Sequence, residues 1–250
     1  MMGLLRTPQG FIGRNFWGWR DNFSEYTTAK TWTTVTTNSG TSVPGNFTPG
    51  GLLFTTGTTN NNYQYIYGTN ANFLYIADKP AVVECVHKYT EVATNSANVG
   101  FGFSDSVVAG SLVDDGAGPA ASFSGAMIYK VDGGSVWKFC TSIGSTQTIS
   151  TSTTTAGGAV LQRLKIEIKY VNGVAEVSPW VFSVSQLGTS TSAFTGGQLL
   201  DSTTLKPIKH VVTAASIASA AQMTPWFGVK AGTAAAQTAY LHEVAVAQAF

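Results

Sequence analysis

Residues Gln162–Gly173, QRLKIEIKYVNG, alternate without a slip and then reach Asn172-Gly173. Leu164, Ile166, Ile168 and Tyr170 fall on one face, and Arg163, Lys165, Glu167 and Lys169 on the other. This period of two predicts a strand with one dry side and one wet side. Asn-Gly is the dipeptide that best tolerates positive φ at both central positions of a tight hairpin. A half-buried antiparallel strand is therefore the unit to look for along the rest of the chain.

It recurs. Short alternating or apolar runs separated by turn residues follow at Thr31–Thr36, Gly51–Thr55, Tyr63–Tyr67, Phe73–Ile76, Ala81–Val92 and Asn98–Ser104. Further runs lie at Ser122–Val131, Val136–Ser142, Leu161–Val171, Val174–Val184, Lys209–Thr213, Thr224–Ala231 and Ala239–Ala249. This rhythm predicts an all-β fold, an antiparallel two-sheet β-sandwich. Only Ala214–Ala221, AASIASAA, has helical character, and it is too short to be stable alone. Thr141–Gly158 is polar and nearly uncharged, which leaves three options: a mobile loop, a weak hairpin or an extended excursion. Leu187–Gly197 is a smaller stretch of the same kind. Neither resembles an interdomain linker, so the chain reads as one sandwich, residues 22–250, preceded by an arm, residues 1–21.

The arm carries Arg6, Arg14 and Arg20 with no acid before Asp21, interleaved with Phe11, Phe16, Trp17 and Trp19. Four aromatics cannot bury themselves in a terminal segment that has no partner strand of its own. Either the segment packs back on the body, or it docks on another chain. In the second case Phe11, Arg14, Phe16, Trp17, Trp19 and Arg20 are the partner-binding residues, being of the types enriched at interface hot spots.

Charged residues make up 11% of the chain, against roughly 25% in an average globular protein. The polar surface must come from Ser, Thr, Asn and Gly. A net charge of +1 gives no field for nucleic acid or anionic membrane. No run approaches the roughly eighteen apolar residues of a membrane span, and none at the start resembles a signal peptide. The expectation is a soluble protein made in the cytosol. Cys85 and Cys140 lack metal or redox spacing and are expected to be buried free thiols; no metal and no cofactor is expected.

The order of pieces resembles the concanavalin A-like jelly-roll superfamily, which includes legume lectins and laminin G-type domains. The resemblance is carried by Asp21-Asn22-Phe23 opening the body and by Val99-Gly-Phe-Gly-Phe103 followed by Ser104-Asp105. The Arg163–Gly173 strand and turn, the run Pro225–Gly232 and the closing strand Tyr240–Val246 complete it. Similar chains occur among tailed-phage virion proteins. The resemblance implies a non-enzymatic decoration, cement or attachment protein of a virion, made in the host cytoplasm. Its implied partners are further copies of itself, with a trimer as one option, a major capsid or other virion protein, and a host surface glycan.

The second reading is a lectin-like carbohydrate-binding module, with Trp180, Asp114 and Asp115 as glycan-binding candidates. Trp180, after Pro179, is the tryptophan expected nearest the surface, where its ring face suits a pyranose. Asp114-Asp115 beside Gly116 reads either as a solvated turn or as a weak calcium site, with Asp105 and Asp132 as further oxygen ligands.

Enzymatic readings rank last. Glycoside hydrolysis needs two carboxylates facing each other roughly 5 to 9.5 Å apart, and the thirteen acids are dispersed. The three histidines, His87, His210 and His242, accompany no nucleophile elbow. Trp226–Gly232 with Gln237 resembles the closing strand of alginate-type polysaccharide lyases: Lys230, Ala231 and Gly232 match. Thr233 stands where that family has its tyrosine, and no Gln-Ile-His motif is present, so the elimination has no acid or base in place.

Overall fold

The computed structural model describes residues 16–26, 30–37, 39–45, 50–70, 73–74, 79–184, 194–213 and 222–249. Nineteen strands occur among them. The first six are β1 (Phe16–Asp21), β2 (Trp32–Thr36), β3 (Thr41–Pro44), β4 (Leu52–Thr55), β5 (Tyr63–Gly68) and β6 (Phe73–Leu74). There follow β7 (Ala81–Thr90), β8 (Ala97–Ser104), β9 (Leu112–Val113), β10 (Gly118–Pro119), β11 (Gly125–Lys130), β12 (Val136–Ile143) and β13 (Thr146–Thr155). The last six are β14 (Gln162–Val171), β15 (Val174–Val184), β16 (Phe194–Gln198), β17 (His210–Thr213), β18 (Gln222–Ala231) and β19 (Thr238–Ala249).

They form two large antiparallel sheets. Sheet one runs β16-β15-β14-β7-β19-β4-β3, with β1 also on β19 and β17 also on β15. Sheet two runs β13-β12-β11-β8-β18-β5-β2, with β6 also on β18. The predicted all-β, two-sheet sandwich is what the chain forms.

The opening motif folds as its alternation demands. Leu164, Ile166 and Ile168 are buried in the core, and Val171 pairs with Val174 across Asn172 (φ 53°) and Gly173 (φ 78°). The nominally wet side is drier than expected. Glu167 is buried between Lys169, at 3.3 Å, and Lys165, at 4.0 Å. Of the three options for Thr141–Gly158, the hairpin is the one that forms: β12 turns at Gly144 (φ 57°) into the ten-residue β13. Threonine and serine do not break a strand that has a partner to pair with. Ala214–Ala221 and most of Leu187–Gly197 lie outside the described residues.

Between the sheets, Leu52, Phe54, Val83, Cys85 and Tyr89 meet Val99, Phe101, Phe103, Trp137, Phe139 and Phe227, all buried. Each such side chain contributes roughly 1.5–3 kcal/mol through the apolar area it removes from water. Both cysteines are buried and free, and burial pushes the Cys140 thiol up to about 12.

The N-terminal segment requires a correction from its backbone. Residues 16–21 are a strand of the body, in register with β19 from Phe16↔Ala249 to Asp21↔Val244. Trp17 and Trp19 pack against the core, Trp19 edge-on to Trp32 at 5.5 Å, and Arg20 pairs with Glu243. For these residues packing back on the body prevails, because β19 offers a free edge and the core a place for two indoles. Phe11 and Arg14 lie outside the described residues. The Asp21-Asn22-Phe23 opening also has a local cause. The Asp21 carboxylate accepts from the Phe23 amide and from the Trp32 indole, both at 2.7 Å, and this holds Phe23 at φ 57° with its ring against Trp32. Asp21→Ala is expected to cost about 2 kcal/mol, since two donors to a charged acceptor lose their partner. Denaturant unfolding measures it.

Candidate functional site

The outer face of sheet two, away from the sandwich core, carries a second apolar cluster: Tyr63, Tyr65, Val107, Leu112, Phe123, Met127, Tyr129 and Trp226. Tyr63, Tyr65 and Tyr67 occupy alternate positions on β5, so one face of that strand is a tyrosine ladder. The Tyr63 and Tyr65 rings stack at 4.8 Å, and Tyr65 meets Trp226 edge-on at 6.0 Å. Two glycines make room for these rings. A Cβ on Gly228 would stand 2.1 Å from the Tyr65 ring, and one on Gly100 would stand 2.6 Å from Trp226.

Over this layer lies an excursion of the chain between β8 and β11. Its base is closed by the Asp105 amide donating to the Ser124 carbonyl at 2.9 Å and the Ser124 amide donating to the Asp105 carboxylate at 2.8 Å. Its far end is pinned by Lys230, which is buried on β18. The ammonium donates to the Leu112 carbonyl at 2.7 Å and to the Asp114 carboxylate, and stands 6.0 Å from the Tyr63 ring centroid.

At that far end several loops converge. Asp115 is held at φ 52°. Its Oδ1 accepts from Asn60 Nδ2 at 3.0 Å and Asn61 Nδ2 at 3.2 Å, and its own amide donates to Asn61 Oδ1 at 3.1 Å. Asn61 is fixed in turn by donating its amide to the Ala231 carbonyl at 2.9 Å. Asp132, after β11, donates its amide to Asn98 Oδ1 at 3.0 Å. Burial raises the Asp132 carboxyl above its usual range, the negative charge of Asp115 adds to this, and the Lys130 ammonium opposes it. Asp114, Asp115 and Asn60 remain open to solvent. Asp105 is at the opposite end of β8, so the four aspartates do not converge. Among the described residues no group of three or more His, Cys, Asp or Glu side chains is placed to hold a metal ion.

Trp180 is not part of this site. It lies on β15, on the outer face of sheet one, directly opposite Lys165 on β14. The Lys165 ammonium sits 4.5 Å over its ring, and Phe182 stacks alongside at 6.2 Å. The three glycan candidates thus fall on two faces, with Asp114 and Asp115 together and Trp180 apart. The residues that match the lyase strand are occupied in pinning loops. Lys230 holds the excursion, while Gln237 accepts from the Val92 amide at 3.1 Å and donates to the Ala235 carbonyl at 3.2 Å.

Two of the three histidines are internal, and His242 is half-buried on β19. His87 is in the core beside Tyr89, Trp137 and Phe227, and both ring nitrogens lack a hydrogen-bond partner. His210 bridges Thr141 at 2.9 Å and Ser150 at 3.0 Å. Sequence reasoning missed the tyrosine ladder and the two asparagines. Y-x-Y-x-Y was a legible signal for one aromatic face, whereas nothing local to Asn60-Asn61 announces a partner 55 residues away.

Comparison with solved structures finds lectins that share this two-sheet sandwich fold. No family model and no curated protein matches the chain by sequence. Peanut lectin superposes with a TM-score of 0.59 at 11% identity, covering 94% of this chain and 97% of the lectin. Lectin II from Ulex europaeus gives 0.58 at 10%, covering 94% and 99%. The carbohydrate recognition domain of Emp46p, in its metal-free form, gives 0.52 at 8%, covering 90% and 94%. At these identities the likeness establishes the fold.

Proposed function

We propose that the chain is a non-enzymatic, lectin-like carbohydrate-binding module whose glycan site is the loop end formed by Asp114, Asp115, Asn60 and Asn61, beside the Tyr63 ring. The observation that carries this reading is the fixed, exposed Asp115. Two side-chain amides consume one carboxylate oxygen and hold the backbone in a left-handed conformation, which leaves the other oxygen without a protein partner among the described residues. A carboxylate and amides held side by side are suited to vicinal sugar hydroxyls, which donate to the one and accept from the other. Hydrogen bonds to an ionised acceptor are the strong ones. The lectin fold of the structural neighbours supports the same reading.

The test is titration of neutral mono- and oligosaccharides, chosen from a glycan array, by calorimetry. Asp115→Asn keeps a residue tolerant of positive φ and removes the charge; with Asn60→Ala, it is expected to weaken binding about tenfold or more. Trp180→Ala is expected to leave binding unchanged. Binding that depends on Trp180 but not on Asp115 would move the site to sheet one, and an array without any bound glycan would end the proposal.

A virion attachment role, with the chain joined to a capsid or other virion protein and presenting this end to a host glycan, is the second reading. It draws on the composition and the sequence resemblance.

A further inference from the structure

Strand β13 is an edge strand of unusual composition. Thr146–Thr155, TQTISTSTTT, contains no charge and no proline, two of the devices by which edge strands avoid pairing with another chain. One half of its outer edge is covered: Thr153 donates its amide to the Leu200 carbonyl at 3.0 Å, and Ser202 donates to the Thr151 carbonyl at 2.8 Å. The other half, residues 146–150, has no partner on that side among the described residues. Thr148 and Ile149 are exposed there, Ile149 by 49%.

Strand parity says which groups are open. Thr151 and Thr153 direct backbone groups outward, so the preceding odd residues, Gln147 and Ile149, do the same. Thr148 and Ser150 turn theirs toward β12, opposite Thr141 and Phe139. The open edge is thus two N–H and two C=O groups, symmetric about Thr148.

We infer that this edge pairs with the same edge of a second copy, about a two-fold axis through Thr148. In that register Gln147 faces the partner's Ile149 and Ile149 faces the partner's Gln147, so each pair exchanges two hydrogen bonds and all four open groups of each chain are satisfied. A sequence without charge meets no like charge across the axis. The segment Leu200–Ser202 seals the edge immediately beyond, so it blocks any longer or slipped pairing and fixes the register at five residues. The two eight-stranded sheets then become one continuous sheet across the dimer. An arbitrary strand from another protein fits this short edge less well, since the stop at Leu200 and the symmetry about Thr148 favour a partner carrying the same stop.

Thr148 faces its own copy at a position without direct hydrogen bonds, where Cα atoms approach to about 4.5 Å, within the range a disulfide spans. Thr148→Cys is therefore expected to cross-link into a covalent dimer on mild oxidation of the full chain. Thr153→Cys, behind the Leu200 seal, forms no covalent dimer, and neither do the buried native cysteines. In sedimentation, the unmodified chain dimerises with concentration, and Ile149→Pro, which deletes an outward amide on an edge that tolerates proline, weakens dimerisation about tenfold or more. Absence of cross-linking in a Thr148→Cys protein with unchanged circular dichroism overturns the inference. So does dimerisation that is insensitive to Ile149→Pro.

Discussion

Removing residues 1–20 is expected to destabilise the sandwich by at least about 3 kcal/mol relative to removing residues 1–15, because the longer truncation takes out a structural strand. Strand β1 lies along β19 for six consecutive pairs and delivers Trp17 and Trp19 to the core beside Trp32. Truncating a fully buried tryptophan costs roughly 3–5 kcal/mol; these two are half-buried, and their combined loss is of that order. The ladder hydrogen bonds and the Arg20–Glu243 pair are lost as well, though an exposed ion pair adds little. Thermal and urea unfolding of the two truncations measure the difference. Equal midpoints would mean that the strand contributes nothing to stability. The comparison also governs any test of assembly: a 1–20 deletion that fails to assemble reports a damaged fold, whereas a 1–15 deletion reports on the arm.

That strand shows where legibility stops. The Arg163–Gly173 hairpin could be read from its own residues, because alternation and Asn-Gly are local and their partner strand follows at once. The pairing of β1 depends on β19, more than two hundred residues later. The interleaved tryptophans announced a need for burial without saying where it would be met. The candidate site divides in the same way. Asp114-Asp115-Gly116 was visible as a turn. What makes it more than a turn comes from Lys230, Asn60 and Asn61, which the fold of sheet two brings to one end. Trp180 was correctly read as the more open tryptophan, yet its ring carries Lys165 and Phe182, a contact set by the cross-strand register. The Thr141–Gly158 stretch was ambiguous because threonine and serine suit both an edge strand and a loop; a neighbour decides, and β12 supplies it.

The sharpest pH response is expected between pH 6.5 and 5, and His87 and His210 are its sources in equal measure. Burial among Tyr89, Trp137 and Phe227 lowers this imidazole to about 3, and His242 nearby acts in the same direction. Burial alone lowers His210 to about 4. In the unfolded chain both titrate near 6.5. Below that value the unfolded state binds protons that the folded state refuses. Stability from the neutral imidazoles is therefore fully present above pH 6.5 and falls as the pH drops toward the folded values. The slope is roughly 1.4 kcal/mol per pH unit per group, so each histidine removes about 2 kcal/mol between pH 6.5 and 5. His87→Leu replaces an imidazole whose two nitrogens lack partners with an apolar side chain of similar volume. The penalty of burying unsatisfied polar atoms, about 1–3 kcal/mol, disappears, while some aromatic contact with Trp137 is lost. The variant is expected to be at least as stable as the parent at pH 7.5 and to lose about half of the parent's acid sensitivity down to pH 5. Urea unfolding at pH 7.5, 6.5, 5.8 and 5.0 gives both slopes. Parallel curves for parent and variant would show that His87 finds a hydrogen-bonding partner in solution and does not resist protonation. A slope reduced by half identifies the core histidine as one of the two groups that set how far into acid this sandwich remains folded.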